Sequence, residues 1–281
     1  MAFHMEVFRS SLSSGATNVL QQVSFVNTGV LAPSGAAGMQ VSAKLPMLHS
    51  FFAVGANLER VQLQAASFLP LPYPDFDGNN VGTAINSPAT FWDFSRAPKV
   101  MRQTETFNVF ASQISAGAET ETVFCQFTDN QTVVAPPVSQ VPTLTGIGMF
   151  TVAHATATTT LTANAFTQVT PLLDLPLPAG QYALVGMRVK TAHALAFRIA
   201  PINDPLWRPG GIAVQANTSL DYPGQRFINP LTGYVSHWGV WLTFFQNTVP
   251  NVQIFSTAAD TQEDMWFDLI KISDVVTATA L

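Results

Sequence analysis

Apolar and polar residues alternate with a period of two in short runs along this chain, and the runs are closed by Pro, Gly or Asn. A period of two sends successive side chains to opposite faces, which suits a half-buried strand and does not make an amphipathic helix. In 59–65, Val61, Leu63 and Ala65 alternate with Arg60, Gln62 and Gln64; in 194–200, Leu195, Phe197 and Ile199 share one face. The runs at 21–27, 106–114, 122–129, 239–246 and 265–273 are further strand candidates. The pattern predicts an all-β protein built from antiparallel β-sandwiches.

A length of 281 residues suits two such sandwiches, each with its own core. Pro136, Pro137 and Pro142 remove backbone donors and mark an extended connection. The expected organisation is an N-terminal arm or short helix over 1–15, a first sandwich over 16–135, a linker over 136–146, a second sandwich over 147–276 and a tail over 277–281. The halves also suggest an internal repeat. At an offset of 131, six of the 41 positions from 51 to 91 are identical: Val54/Val185, Gly55/Gly186, Ala65/Ala196, Pro70/Pro201, Pro74/Pro205 and Asn86/Asn217. Further on, NVFASQISAGAETETVFCQFTDNQTVV (108–134) parallels NVQIFSTAADTQEDMWFDLIKISDVV (251–276) as strand, polar turn and strand. Duplication of one fold is expected.

Charged residues make up 10% of the chain against 47% aliphatic and aromatic, so much of the surface must be uncharged. That suits a protein packed against neighbours, and equally a neutral sandwich coated in Thr, Asn and Gln. With 12 basic and 17 acidic residues, and Arg96, Lys99 and Arg102 as the densest basic cluster, direct nucleic-acid binding is not expected. Cys125 is the single cysteine, which excludes an intrachain disulfide and reads as a small core residue. No signal-peptide core or membrane-length apolar run is present in the sequence, so synthesis in the cytoplasm is expected.

Catalytic strings are missing: no Gly-x-Ser-x-Gly, HExxH, P-loop or dinucleotide fingerprint occurs, and His4, His49, His154, His193 and His237 are scattered. No enzyme is expected. Glu119 and Glu121, like Asp260, Glu263 and Asp264, are read as polar turn chemistry rather than a glycosidase pair. Asp75, Asp77 and Asn79 place oxygens at alternate positions as in the start of a calcium loop, but Gly78 comes too early and no closing Glu follows. A solvated turn is the default there; calcium is the one cofactor considered. Trp207, Tyr222, Tyr234, Trp238 and Trp241 are read as interface or core anchors, with a sugar-stacking platform as the alternative. Met1, Met5, Phe8 and Leu12 share a helical face, which suggests a short docking helix or a frayed tail.

Two tandem sandwiches without disulfides, joined by a Pro-rich crossover and carrying the paired segments quoted above, resemble the double jelly-roll major capsid proteins of icosahedral viruses and phages. The resemblance implies a virion protein made in the host cytoplasm. It implies a homotrimer whose six jelly rolls form a pseudo-hexagonal tile, with neighbouring capsomers and vertex or minor capsid proteins as partners. It also implies an internal viral membrane in many members, which the arm around Phe3, Val7, Phe8 and Leu12 would touch. The alternative function is a carbohydrate- or receptor-binding sandwich such as a spike, with Trp207, Tyr222 and Trp238 stacking on the ligand; an unfamiliar sandwich hydrolase ranks third.

Overall fold

The computed structural model describes residues 3–13, 17–26, 38–55, 57–77, 91–94, 99–114, 117–129, 149–201, 207–208, 210–215, 242–261 and 263–273. The chain divides into two compact units, Met1–Gln131 and Thr132–Leu281. Its described regular structure is strand, apart from one 3-10 turn at Ala66–Phe68.

In the first unit the strands are β1 (Phe3–Ser11), β2 (Gln21–Val23), β3 (Phe25–Val26), β4 (Met39–Gln40), β5 (Met47–Val54), β6 (Leu58–Gln64), β7 (Asp75–Asp77), β8 (Phe91–Asp93), β9 (Lys99–Val100), β10 (Thr106–Gln113) and β11 (Thr120–Thr128). One sheet runs β1-β11-β5-β8 and the other β2-β10-β6-β7, with β3, β9 and β4 as short additions to β1, β5 and β10. Among the eight principal strands, the first, eighth, third and sixth form one sheet, and the second, seventh, fourth and fifth form the other. This is the strand order of a jelly roll.

The second unit comprises β12 (Met149–Ala157), β13 (Ala165–Val169), β14 (Leu172–Leu173), β15 (Gln181–Thr191), β16 (Ala194–Ala200), β17 (Trp207–Arg208), β18 (Gly210–Ile212), β19 (Val214–Gln215), β20 (Leu242–Phe245), β21 (Asn251–Ser256) and β22 (Glu263–Ser273). Its sheets run β12-β22-β15, with β20 antiparallel on β15, and β13-β21-β16-β18, which is the same order. Each unit has its own core. Phe107 of β10 meets Phe8 and Phe127 of the facing sheet at ring distances of 5.6 and 5.5 Å. In the second unit Leu184, Met187, Val189, Phe197, Ile254, Met265 and Phe267 form one buried cluster.

The two units match residue by residue. β1 and β11 pair over nine positions from Phe3↔Thr128 to Ser11↔Thr120, and β12 and β22 over nine from Met149↔Lys271 to Ala157↔Glu263. β10 and β6 pair from Asn108↔Gln64 to Ser112↔Arg60, skip Glu59, and resume at Gln113↔Leu58. β21 and β16 pair from Asn251↔Ala200 to Phe255↔Ala196, skip Leu195, and resume at Ser256↔Ala194. The bulge falls at the same rung. Thr17 bridges Gln113 as Ala163 bridges Ser256, and the next residues, Asn18 and Asn164, both take left-handed φ values of 54° and 58°. Asparagine tolerates that conformation better than most residues. Ile114 N–H donates to the Asn57 carbonyl as Thr257 N–H donates to that of His193.

These ladders correct the repeat alignment. Asn108 does correspond to Asn251, as the second pair of segments implies. Val54, however, lies opposite Thr122, whose counterpart Met265 faces Val189, so the equivalent of Val54 is Val189 and not Val185. The offset there is 135 rather than 131, and the Gly55/Gly186 and Ala65/Ala196 identities are coincidental. The N-terminal expectation also changes. Residues 3–11 form the nine-residue strand β1 in place of an arm or short helix, and Val7, Phe8 and Leu12 are buried. β1 is shielded on both faces from His4 to Phe8, so its apolar residues need no strict alternation and mimic a helical spacing. The 136–146 linker lies outside the described residues.

Phe107→Ala removes a ring that is fully buried between the sheets, so the first unit should lose about 3–5 kcal/mol. Urea unfolding of the variant against the parent chain measures it.

Candidate functional site

The turn acids Glu119 and Asp260 occupy matching places in the two units, and each is half-buried and hydrogen-bonded to a neighbouring turn. Glu119 sits in the turn between β10 and β11, and its carboxylate accepts from Asn57 Nδ2 at 3.3 Å. Asp260 sits in the corresponding turn of the second unit and accepts from Ala192 N–H at 2.9 Å and from the Thr191 hydroxyl. Each acid ties the last hairpin turn of its unit to the turn between the third and fourth principal strands. Their carbonyls repeat the theme: Leu12 N–H donates to Glu119 O and Leu161 N–H to Asp260 O, both at 2.8 Å.

One step further into the strands, Glu121 and Glu263 are fully buried. Burial pushes the Glu121 carboxyl up to about 7, against a partial offset from Gln113; Glu119 raises it further and Arg9 lowers it. Gln113 Nε2 reaches Glu121 Oε1 at only 3.4 Å, whereas turning its amide over gives a 2.8 Å bond to the Gly117 carbonyl. The second orientation leaves the carboxyl to hold its own proton. Gly55 is what makes room for this group: a Cβ there would lie 1.3 Å from Glu121 Oε2. Glu263 is raised to about 7 by burial and by Asp260, with the Thr159 backbone opposing. A sugar cannot reach either carboxyl, which removes both from any glycosidase pair. Cys125 is likewise buried, and burial holds its thiol far above the usual range, so it is a core residue with no nucleophilic role.

Of the calcium candidates, Asp75 has Oδ2 engaged by Arg60 at 2.9 Å and by Gln62 Nε2 at 2.9 Å. Asp77 pairs with Arg60 in the β6–β7 ladder, and Asn79 lies outside the described residues. Among the described residues no group of three or more His, Cys, Asp or Glu side chains is arranged to hold a metal. Tyr222, Trp238 and Trp241 also lie outside the described residues, and Trp207 is described only as part of strand β17.

A surface cluster that sequence reading missed lies on the outer face of the second unit. His154 of β12, Trp266 of β22 and Arg188 of β15 stand side by side on successive strands. The His154 ring is 5.0 Å from the Trp266 ring, and the Arg188 guanidinium lies 5.5 Å over it. His154 is clamped between carboxylates, Nδ1 to Asp174 Oδ2 at 2.6 Å and Nε2 to Asp264 Oδ1 at 3.3 Å. The Asp174 hydrogen bond is the main cause of its raised pKa. A single sequence offers no signal for this cluster, because its other members lie 20 to 112 positions from His154 and meet it only through strand order. Below His154 a groove of about 510 Å³ opens, walled by Val152, Ala153, Leu175, Pro176, Leu177 and Tyr182.

The buried acids and His154 act in the same direction. Between an ordinary carboxyl value of 4.5 and about 7, the unfolded chain ionises Glu121 and Glu263 while the folded chain keeps them protonated, so stability falls as pH rises through that window and then levels off. His154 is stabilised as the imidazolium, a contribution lost as pH rises through its raised pKa. Thermal melting should therefore be higher at pH 4.5 than at pH 8. Glu121→Gln should raise the melting point at pH 8 and change it little at pH 4.5, with roughly 2–3 kcal/mol at stake; equal shifts at both pH values would contradict the assignment.

No family model and no curated protein matches the chain. Two solved structures match with low TM-scores. The major capsid protein P2 from bacteriophage PM2 is 10% identical, with 96% of this chain and 98% of that chain covered at a TM-score of 0.25. A Paenibacillus xanthan lyase is 11% identical, with 96% of this chain but 25% of that chain covered at a TM-score of 0.23.

Proposed function

We propose that this chain is a structural capsid protein that assembles as a homotrimer into the icosahedral shell of a virion. The observation that carries this reading is the residue-level repetition of one jelly roll in both units, down to the shared bulge at Gln113 and Ser256. A threefold assembly of a chain with two like lobes offers six nearly equivalent lobes, and six is the number needed to tile a surface with hexagonal neighbours. The low charge content fits a surface that is largely covered by neighbours. Neighbouring capsomers are the main partners in this reading, with vertex or minor capsid proteins and an internal membrane as further ones. Membrane contact is not assigned to Val7, Phe8 or Leu12, which are core residues. The purified chain should sediment at three times its 30.3 kDa mass and form hexagonal tiles in negative stain. A monomer at micromolar concentration would overturn the proposal.

The second reading is carbohydrate binding, and the observation favouring it is the half-buried Trp266 flanked by Arg188, His154 and the carboxylates Asp174 and Asp264. Aromatic faces beside carboxylates suit the apolar and hydroxyl sides of a sugar ring. Under this reading Trp266→Ala loses retention on immobilised polysaccharide; no retention by the parent chain excludes it.

A further inference from the structure

Among the described residues, the first strand of the second unit is paired along only part of its outer edge. β14 pairs with β12 only at Ala155↔Leu173 and Thr156↔Leu172, and one further bond runs from Asp174 N–H to the His154 carbonyl at 3.1 Å. There the pairing stops for a chemical reason: the chain continues as Leu175-Pro176-Leu177-Pro178, and two prolines in four residues leave too few amides to extend a ladder. The Pro178 carbonyl is instead tied to the Tyr182 hydroxyl at 2.7 Å, which holds this loop away from the edge as a wall. Because the His154 carbonyl points outward, strand alternation turns the Val152 amide and carbonyl outward as well. Among the described residues nothing pairs with that side of β12 over 149–153, and Val152 is 43% exposed. Beside it lies the groove of about 510 Å³, whose walls are mainly apolar and to which Lys271 contributes. Backbone groups without a strand partner next to an apolar trough form an acceptor for strand addition, in which main-chain bonds supply affinity and the trough receives alternate side chains.

We propose that this edge receives residues 274–281 of a second copy of the chain as an added strand. Three features of that segment point to it. Its sequence, DVVTATAL, is rich in β-branched and small residues and carries no charge beyond Asp274, which suits a trough with mainly apolar walls. Its eight residues reach about 26 Å when extended, enough to cover five residues of edge. It also begins where β22 ends, and Lys271 of β22 both faces Met149 and lines the groove. Within one chain, β22 lies on the inner side of β12, so the segment would have to turn around the Met149 end and use much of its length before reaching the outer edge. A second copy meets no such turn. This contact goes beyond the capsid reading and is measured separately from it.

The test uses two full-length variants with complementary defects. Val275→Asp/Val276→Asp keeps the edge and spoils the donated segment, while Val152→Pro keeps the segment and removes the edge amide without touching the bonds from β12 to β22. Hydrogen exchange is read at the Val152 amide, which the Val152→Pro chain lacks. In the parent chain that amide should be protected at least tenfold over the Val275→Asp/Val276→Asp chain alone. Mixing the two variants should restore protection to the chain that retains Val152. Three outcomes overturn the proposal: no protection in the parent chain, protection that survives Val275→Asp/Val276→Asp, or no recovery on mixing, which would place the segment on its own chain. Melting curves of both variants confirm that each remains folded.

Discussion

Each unit hangs on one strand pairing: the last strand lies between the first and the third. β11 holds β1 on one side and β5 on the other, as β22 holds β12 and β15. Phe3 meets Thr128 and Met149 meets Lys271, so the central ladder joins residues more than a hundred positions apart. Closing such contacts costs chain entropy before any burial rewards it, which implies slow folding for each unit. The ladder also sets register for everything beside it, because a slip of one residue would turn Phe8, Val123 and Phe127 out of the core. The staples by Glu119 and Asp260 fix the hairpin that delivers this strand, and their recurrence in both units follows from the same mechanical need.

The all-β class and several strands were legible because half-buried strands write a period of two into the sequence. Leu58–Gln64 shows this well, with a burial pattern that alternates like its residues. The sheet around β5 and β11 was harder to read. Almost every residue of Met47–Val54 and Thr120–Thr128 is buried on both faces, so the sequence there runs apolar without alternation. The same double burial gave Phe3–Ser11 an apolar spacing that imitates a helix. Repeat detection succeeded in β10 and β21, where Asn108/Asn251 and Val109/Val252 are identical and no residue is inserted. It failed in the third and fourth principal strands, because paired strands need matching burial and not matching residues: Val61 corresponds to Phe197 and Leu63 to Ile199 with no identity to detect.

Of the candidate sites, little was legible, and for a common reason. Glu121 and Glu263 look like turn residues in sequence because each follows a polar turn, yet strand pairing carries both into the interior. The space for Glu121 comes from Gly55, which no local pattern links to it. His154, Trp266 and Arg188 likewise meet only through strand order. Chemistry assembled across a sheet leaves no spacing signature within any one run of sequence.

The two units share a ladder but not a surface, and this difference bears on the proposed assembly. In the first unit the sheet containing β1 and β11 is shielded on both faces. In the second, the corresponding sheet presents Val152, His154 and Trp266 outward and leaves part of β12 without a strand partner among the described residues. Positions that fix register tolerate little change, since a change there unfolds the unit, while outward-facing residues are free to differ. In the assembly proposed above, two lobes with one backbone and different outer faces would meet like neighbours through similar geometry and still distinguish one contact from another. A protein with identical lobes would lack that discrimination, and one with unrelated lobes would lack the geometry.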